Sequence, residues 1–192
     1  MLFRPDEQIG GHAEEFAWHA LYTRHQHEKA IANALSYKGF EVFLPLYSAT
    51  HRWKDRNNQL FLPLFPCYVF LRGGLERRLD IMTTPGIYML VTSGGHPAVV
   101  PDEEMYAVRQ LAEKTQRMEP YPFLRSGDWV RVKSGPLIDM EGILVRKKNF
   151  FRLVVSVEIL GKSAAAEVDA SMVERISPPQ ARLFLCPSAA VA

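Results

Sequence analysis

The sequence predicts an α+β protein, an α/β sandwich followed by a small β-barrel. Three observations predict it. Apolar segments of strand and helix period alternate over residues 16–115. A proline-broken stretch at 116–123 then stops the pattern, because each proline removes a backbone donor and restricts its predecessor. Short β-branched segments divided by turn residues fill 124–177, the spacing of a small barrel.

Residues 1–15 read as a flexible leader. Residues 16–23 mix aromatic and small side chains, as a strand does. Glu28 and Lys29 then open a helix whose Ile31, Ala34 and Leu35 form one apolar stripe, with Gly39 placed to end it in a left-handed conformation. A strand at 40–46, a polar, basic hairpin tip at 51–58 and a single long strand at 60–72 follow. The largely apolar character of that last strand implies burial on both faces, or one face kept for a partner. A short helix near 76–82, a strand at 87–91 and a helix opened by Asp102, Glu103 and Glu104 complete the order β-α-β-β-α-β-α. The helices are expected to share one face of the sheet. Beyond the linker at 116–123, strands are expected near 128–133, 142–147, 152–159, 164–168 and 172–176, and then a flexible tail at 178–192. The β-branched run within 153–159 favours the barrel as the stable form.

Composition excludes several classes. The 192 residues suffice for one medium and one small core, and 47% hydrophobic content argues against disorder. Cys67 and Cys186 lie too far apart and too isolated for a zinc-type Cys pair or a structural disulfide, which suits a cytoplasmic protein. The longest apolar stretch, 60–71, is broken by Pro63 and Pro66 and is shorter than the roughly 20 residues a membrane helix takes. No phosphate loop, GxSxG elbow or HExxH motif is present, so no enzyme is indicated. His25 and His27 are two apart, on opposite faces if extended, and neither a metal nor another cofactor is expected.

Four segments, in this order, carry a resemblance to the NusG family, whose members join an N-terminal NGN domain to a C-terminal KOW domain. They are Trp18-His19-Ala20-Leu21-Tyr22-Thr23 with Glu28-Lys29; Pro63-Leu64-Phe65-Pro66-Cys67-Tyr68-Val69-Phe70; Thr84-Pro85-Gly86-Ile87; and Gly127-Asp128-Trp129-Val130-Arg131-Val132 through Glu141-Gly142. The resemblance implies an NGN domain at 16–115, with an antiparallel sheet and flanking helices, and a KOW barrel at 124–177. Two departures stand out. Cys67 replaces the family's usual glycine before Tyr68, and Asp139 stands where the KOW loop often has glycine. Asp tolerates the left-handed backbone better than most residues.

The resemblance implies a monomeric transcription elongation factor that binds RNA polymerase, reduces pausing and promotes antitermination. Tyr22, Tyr68 and Phe70 match the aromatic hollow that receives the clamp helices of the largest catalytic subunit. Read from the residues alone, these rings are either interface or core, and Tyr68 and Phe70 must share a face. Arg77 and Arg78 lie where the family approaches the gate loop. From Arg24 to Arg78 nine bases face four acids, a net of +5, whereas residues 79–115 carry two bases against five acids, a net of −3. The basic half suits the non-template DNA strand, through Arg24, His25, Lys38, Arg52, Lys54 and Arg56. In the KOW domain Ile159, Leu160 and Lys162 match a turn that contacts Rho or a small-subunit ribosomal protein; read from the residues, the apolar pair is equally barrel core. Departures and basic patch together favour a specialised antitermination member. The alternative is a free-standing RNA- or ribosome-binding KOW protein with no polymerase affinity.

Overall fold

The computed structural model describes residues 16–53, 56–115, 118–124, 127–147 and 150–177, and of these the side chains at 50–53, 56–58, 147 and 150 stay outside the description. The expected leader at 1–15 and tail at 178–192 lie outside the described residues.

The N-terminal half is built on β1 (Trp18–Thr23), of whose six residues all but Tyr22 are buried. It pairs antiparallel with β5 (Tyr68–Arg72), β6 (Ile87–Leu90) and β9 (Val99–Val100), and β2 (Glu41–Phe43) adds to the outer edge of β5. A strand buried this fully needs cover on both faces. On one, Leu21, Val69 and Leu71 meet Ile31, Ala32 and Leu35 of α1 (Glu28–Tyr37) and Ile81 of α2 (Arg78–Met82). On the other, Trp18, Ala20 and Phe70 meet Met105, Val108 and Leu111 of α3 (Asp102–Lys114). The expectation that the helices share one face is thus corrected. Alternate residues of β1 and β5 are apolar on both sides, so a single helical layer would leave half of that surface in water. Each fully buried Ile or Leu contributes about 1.5–3 kcal/mol. Gly39 ends α1 at φ +85, as its position predicted.

The expected single strand at 60–72 is two. A separate hairpin of β3 (Leu46–Trp53) and β4 (Arg56–Pro63) stands apart from the main sheet. The polar stretch read as its tip extends the two strands, with Arg52 opposite Asn57 and Trp53 opposite Arg56. Between β4 and β5 the chain turns through Phe65-Pro66-Cys67-Tyr68, closed by the Tyr68 amide donating to the Phe65 carbonyl at 3.1 Å. Pro63 and Pro66 cannot donate to a ladder, which is why the strand breaks there. Leu64 and Phe65 are buried, while Leu60, Phe61 and Leu62 stay exposed on the hairpin. Small strands β7 (Thr92–Ser93) and β8 (His96–Pro97) pair with each other before β9.

The C-terminal half is one antiparallel sheet of β11 (Asp128–Val132), β12 (Glu141–Lys147), β13 (Phe150–Val157), β14 (Lys162–Val168) and β15 (Val173–Arg175), joined by β10 (Met118–Tyr121). All five segments expected as strands are present. The stretch read as linker supplies the sixth, because a segment unfit for a helix can still extend along a sheet edge, where Pro120 needs no amide. The strand order is β10-β14-β13-β12-β11-β15, so the two end strands do not pair and the expected barrel is open. Three-residue β15 and proline-bearing β10 offer few donors with which to close it. Asp139 adopts φ +66, keeping the turn. At Gly142 an added Cβ would lie 2.6 Å from the Val154 carbonyl oxygen, so Gly142→Ala forces β12 from β13. Gly142→Ala should destabilise the fold by about 2–3 kcal/mol in a denaturant titration.

The two halves meet. One apolar cluster runs from Trp18, Phe70 and Leu111 to Val130, Leu153 and Leu160. Helix α3 lies against β13, and the 3-10 turn Glu158–Leu160 lies against β9. Buried Glu104 accepts the Glu158 amide at 3.1 Å, spanning the junction. Among the described residues no helix is long and apolar enough to cross a membrane.

Candidate partner-binding surface

Adjacent strands assemble an aromatic face at the far end of β1. Tyr22 stands opposite Tyr68 of β5 and next to β6. Its ring centroid is 5.6 Å from that of Tyr68 and 5.9 Å from that of Tyr88. Tyr22 is 38% exposed and Tyr88 59%, whereas Tyr68 is half-buried. Burial, followed by the neighbouring Tyr22 and Cys67, pushes the Tyr68 phenol above its usual range, so it remains a neutral O–H at pH 7. Three rings with polar ends on a rigid sheet offer a large, partly wet contact area. Sequence reasoning missed Tyr88. Its signal was a second aromatic directly after Ile87, but only the pairing of β6 with β1 brings it beside Tyr22.

Phe70 is corrected. It does lie on the same face as Tyr68, as alternation requires, but it is 0% exposed. Its ring packs at 5.9 Å from Phe65 and 6.4 Å from Phe43, in the layer that includes α3 residues. Sharing a face does not mean sharing exposure, because Phe70 lies inside the apolar cluster while Tyr68 packs against it only in part.

The basic residues divide by what already holds them. Lys38 donates to the Asp80 carbonyl at 2.7 Å and to Thr84 Oγ1 at 2.8 Å, tying α1 to α2. Arg77 donates to Asp80 Oδ2 and to the Lys38 carbonyl, both at 3.0 Å, and its guanidinium lies 4.3 Å from the Phe40 ring. These two act first as structural ties. Arg24 and His25 are exposed in the loop after β1, and Arg78 is exposed at the start of α2. Lys54 lies outside the described residues. Arg52 and Arg56 sit in the hairpin strands near its tip, with side chains outside the description.

The C-terminal turn is not free. Leu160 is 9% exposed and Ile159 packs beside it, both within the cluster that includes Tyr68 and Val91. Lys162 is exposed and close enough to Cys67 to lower the thiol's proton affinity, although burial and the Glu28 carboxylate outweigh it and hold that pKa above its usual value. In this conformation the C-terminal turn therefore flanks the tyrosine face.

Cys67 itself adopts φ +70. With Pro66 before it, this is the third position of a type II turn, where glycine is the unstrained residue. A side chain there costs on the order of 1–3 kcal/mol of local strain.

Comparisons with known proteins agree on one family. The family described as "Transcription termination factor nusG" matches residues 16–109. The "Transcription termination/antitermination protein NusG" of Thermus thermophilus is 30% identical over 177 residues, covering 81% of this chain and 96% of that protein. Its namesake in Staphylococcus aureus is 25% identical, covering 83% and 95%. The solved structure titled "Domain interaction in Thermotoga maritima NusG" shares the fold at a TM-score of 0.52 and 22% identity, over 84% of this chain and 97% of that one.

Proposed function

The chain belongs to the NusG family of transcription termination/antitermination factors, and from that premise we propose that it binds RNA polymerase through the tyrosine face. It is a transcription factor of a family that is not a family of enzymes. In this reading Tyr22, Tyr68 and Tyr88 receive the clamp helices of the largest catalytic subunit. The factor bridges the clamp, favours the closed elongating state, reduces pausing and promotes antitermination. The physical basis is a population shift: it binds the closed polymerase better than the open one. The single observation that carries the reading is the three-tyrosine cluster on a rigid sheet, with the exposed Leu60, Phe61 and Leu62 available on the hairpin nearby in sequence.

Arg78, exposed where Arg77 is tied down, is the better candidate for the gate loop. Arg24 and His25, both exposed, face the non-template strand in this reading, with the hairpin bases Arg52, Lys54 and Arg56 as a second contact. The NGN unit spans 16–115 and the KOW unit 124–177, and the protein acts as a cytoplasmic monomer. The basic half favours a specialised member acting on few operons. A pull-down of purified polymerase, followed by a pausing assay on one template, tests the reading. Binding with faster pause escape is the expected result. A folded chain that ignores polymerase but retains RNA or ribosomes would put the free-standing KOW reading in its place.

The docked C-terminal turn adds a condition. Ile159 and Leu160 share a cluster with Tyr68, so polymerase and the C-terminal half compete for neighbouring surface. Release would free the tyrosine face, and would free Ile159, Leu160 and Lys162 for Rho or a small-subunit ribosomal protein. Ile159→Ser weakens the docking by about 1 kcal/mol, from its half-buried apolar area. Polymerase affinity should then rise about fivefold, read by fluorescence anisotropy, with the melting temperature of the N-terminal half unchanged.

A further inference from the structure

We propose that His25, Glu28 and Cys67 form a binding site for one divalent metal ion of the zinc class. Their ligand atoms lie within 4.8 Å of one another. Cys67 Sγ is 3.7 Å from His25 Nδ1, which is 3.9 Å from Glu28 Oε1. Tetrahedral zinc with sulfur, nitrogen and oxygen donors places such atoms about 3.3–3.6 Å apart. The two separations that involve His25 therefore need contraction by a few tenths of an ångström, within reach of its exposed ring, while Cys67 Sγ and the Glu28 carboxylate lie within 4.8 Å of each other.

The donor set is one soft thiolate, one imidazole and one hard carboxylate, which suits zinc, cobalt or nickel rather than calcium or magnesium. Three protein donors leave a fourth position, and His25, 65% exposed, keeps that side open to water or an outside ligand. Two features are independent of the distances. Glu28 is 98% buried by its 2% side-chain exposure, and its Oε1 accepts the Cys67 amide at 2.8 Å, so the carboxylate is aimed at the turn before any metal arrives. The turn also holds a cysteine at φ +70, where glycine would be relaxed. Retaining the sulfur against that strain is explained if the sulfur is used.

Binding forms a metal–thiolate bond, and the Cys67 proton leaves to solvent. The nearby positive charge of Lys162 opposes the ion while the C-terminal half is docked. His27 is not needed. Its Nδ1 lies 3.1 Å from the His25 carbonyl, outside the set. The proposal does not depend on the polymerase reading, although His25 and the neighbour of Cys67, Tyr68, also belong to that surface, and its test uses no polymerase.

The reduced full-length protein is titrated with Co²⁺ and then with competing Zn²⁺, followed by near-ultraviolet absorbance. The expected result is one equivalent bound with a thiolate-to-cobalt charge-transfer band that Zn²⁺ abolishes. Cys67→Gly, which suits the turn and should keep or raise the melting temperature, loses the band. His25→Ala, at an exposed position, weakens binding by at least the roughly 10- to 100-fold that loss of an outer-shell partner costs. Cys186→Ser retains the band. No band at saturating Co²⁺ overturns the proposal, and so does a band that survives Cys67→Gly or disappears in Cys186→Ser. Should Cys67→Gly fail to fold, unchanged affinity in His25→Ala overturns it by itself.

Discussion

Tyr22→Ala/Tyr68→Ala is expected to lower the affinity for RNA polymerase by at least about 100-fold, with pause escape returning to the factor-free rate. Aromatic residues central to an interface cost about 2 kcal/mol or more each on truncation, and each 1.4 kcal/mol is tenfold. Both rings sit on paired strands, so little ordering is required on binding. Tyr22 is partly exposed and Tyr68 half-buried, so their removal strips area a partner would use while leaving the helical core on the far face intact. Tyr88→Ala alone should cost less, about 1 kcal/mol, because it flanks Tyr22 at the outer edge. The measurement is equilibrium binding to purified polymerase, with circular dichroism confirming the fold. Binding unchanged in the double variant would move the interface elsewhere, with the exposed apolar residues of the hairpin as the next candidate.

Phe70→Ala is expected to do something different. It should destabilise the N-terminal half by about 3–5 kcal/mol, the usual consequence of removing a buried phenylalanine and leaving a cavity. The ring is fully buried between Phe43 and Phe65, in the cluster that includes Met105, Val108 and Leu111 of α3. Denaturant unfolding reads the loss directly. At low temperature, where the variant is still folded, polymerase affinity per folded molecule should match that of the wild type. A marked affinity loss in a variant as stable as the wild type would return Phe70 to the interface and contradict its burial. The two variants together separate contact from support on a single strand.

Much of this architecture was legible in the chain itself. The helical stripe of Ile31 and Leu35, Gly39 as its stop, and the acids opening α3 are local signals, and each is where its chemistry placed it. The five C-terminal strands were equally clear, since β-branched runs between turn residues carry their own period. Breaks inside apolar runs were harder. Residues 60–72 look continuous, yet Pro63 and Pro66 divide them, because a missing amide matters only when a neighbouring strand asks for it. The reverse held at 118–121, where prolines that forbid a helix were compatible with a sheet edge.

The site shows the same division. Sequence singled out Tyr22 and Tyr68, and the family motif around them, because those signals lie within single segments. It grouped Phe70 with them, since alternation reports the face of a strand but not what covers that face. Tyr88, 66 residues beyond Tyr22 in the numbering, joined the cluster only through the pairing of β6 with β1. Lys38 and Arg77 counted as free charge until α1 and α2 were seen to share them.

By itself, then, the order of residues determined the elements, the family and the segments that bear the aromatic and basic groups, because periodicity, turn chemistry and motif spacing act over a few neighbouring residues. Only the tertiary structure decided which side of the sheet each helix covers, which rings remain in water, and that the turn at 158–160 rests against the N-terminal half. It alone brought Cys67 to His25 and Glu28. Those outcomes depend on contacts between residues dozens of positions apart, and exposure is a property of the packed whole rather than of any segment.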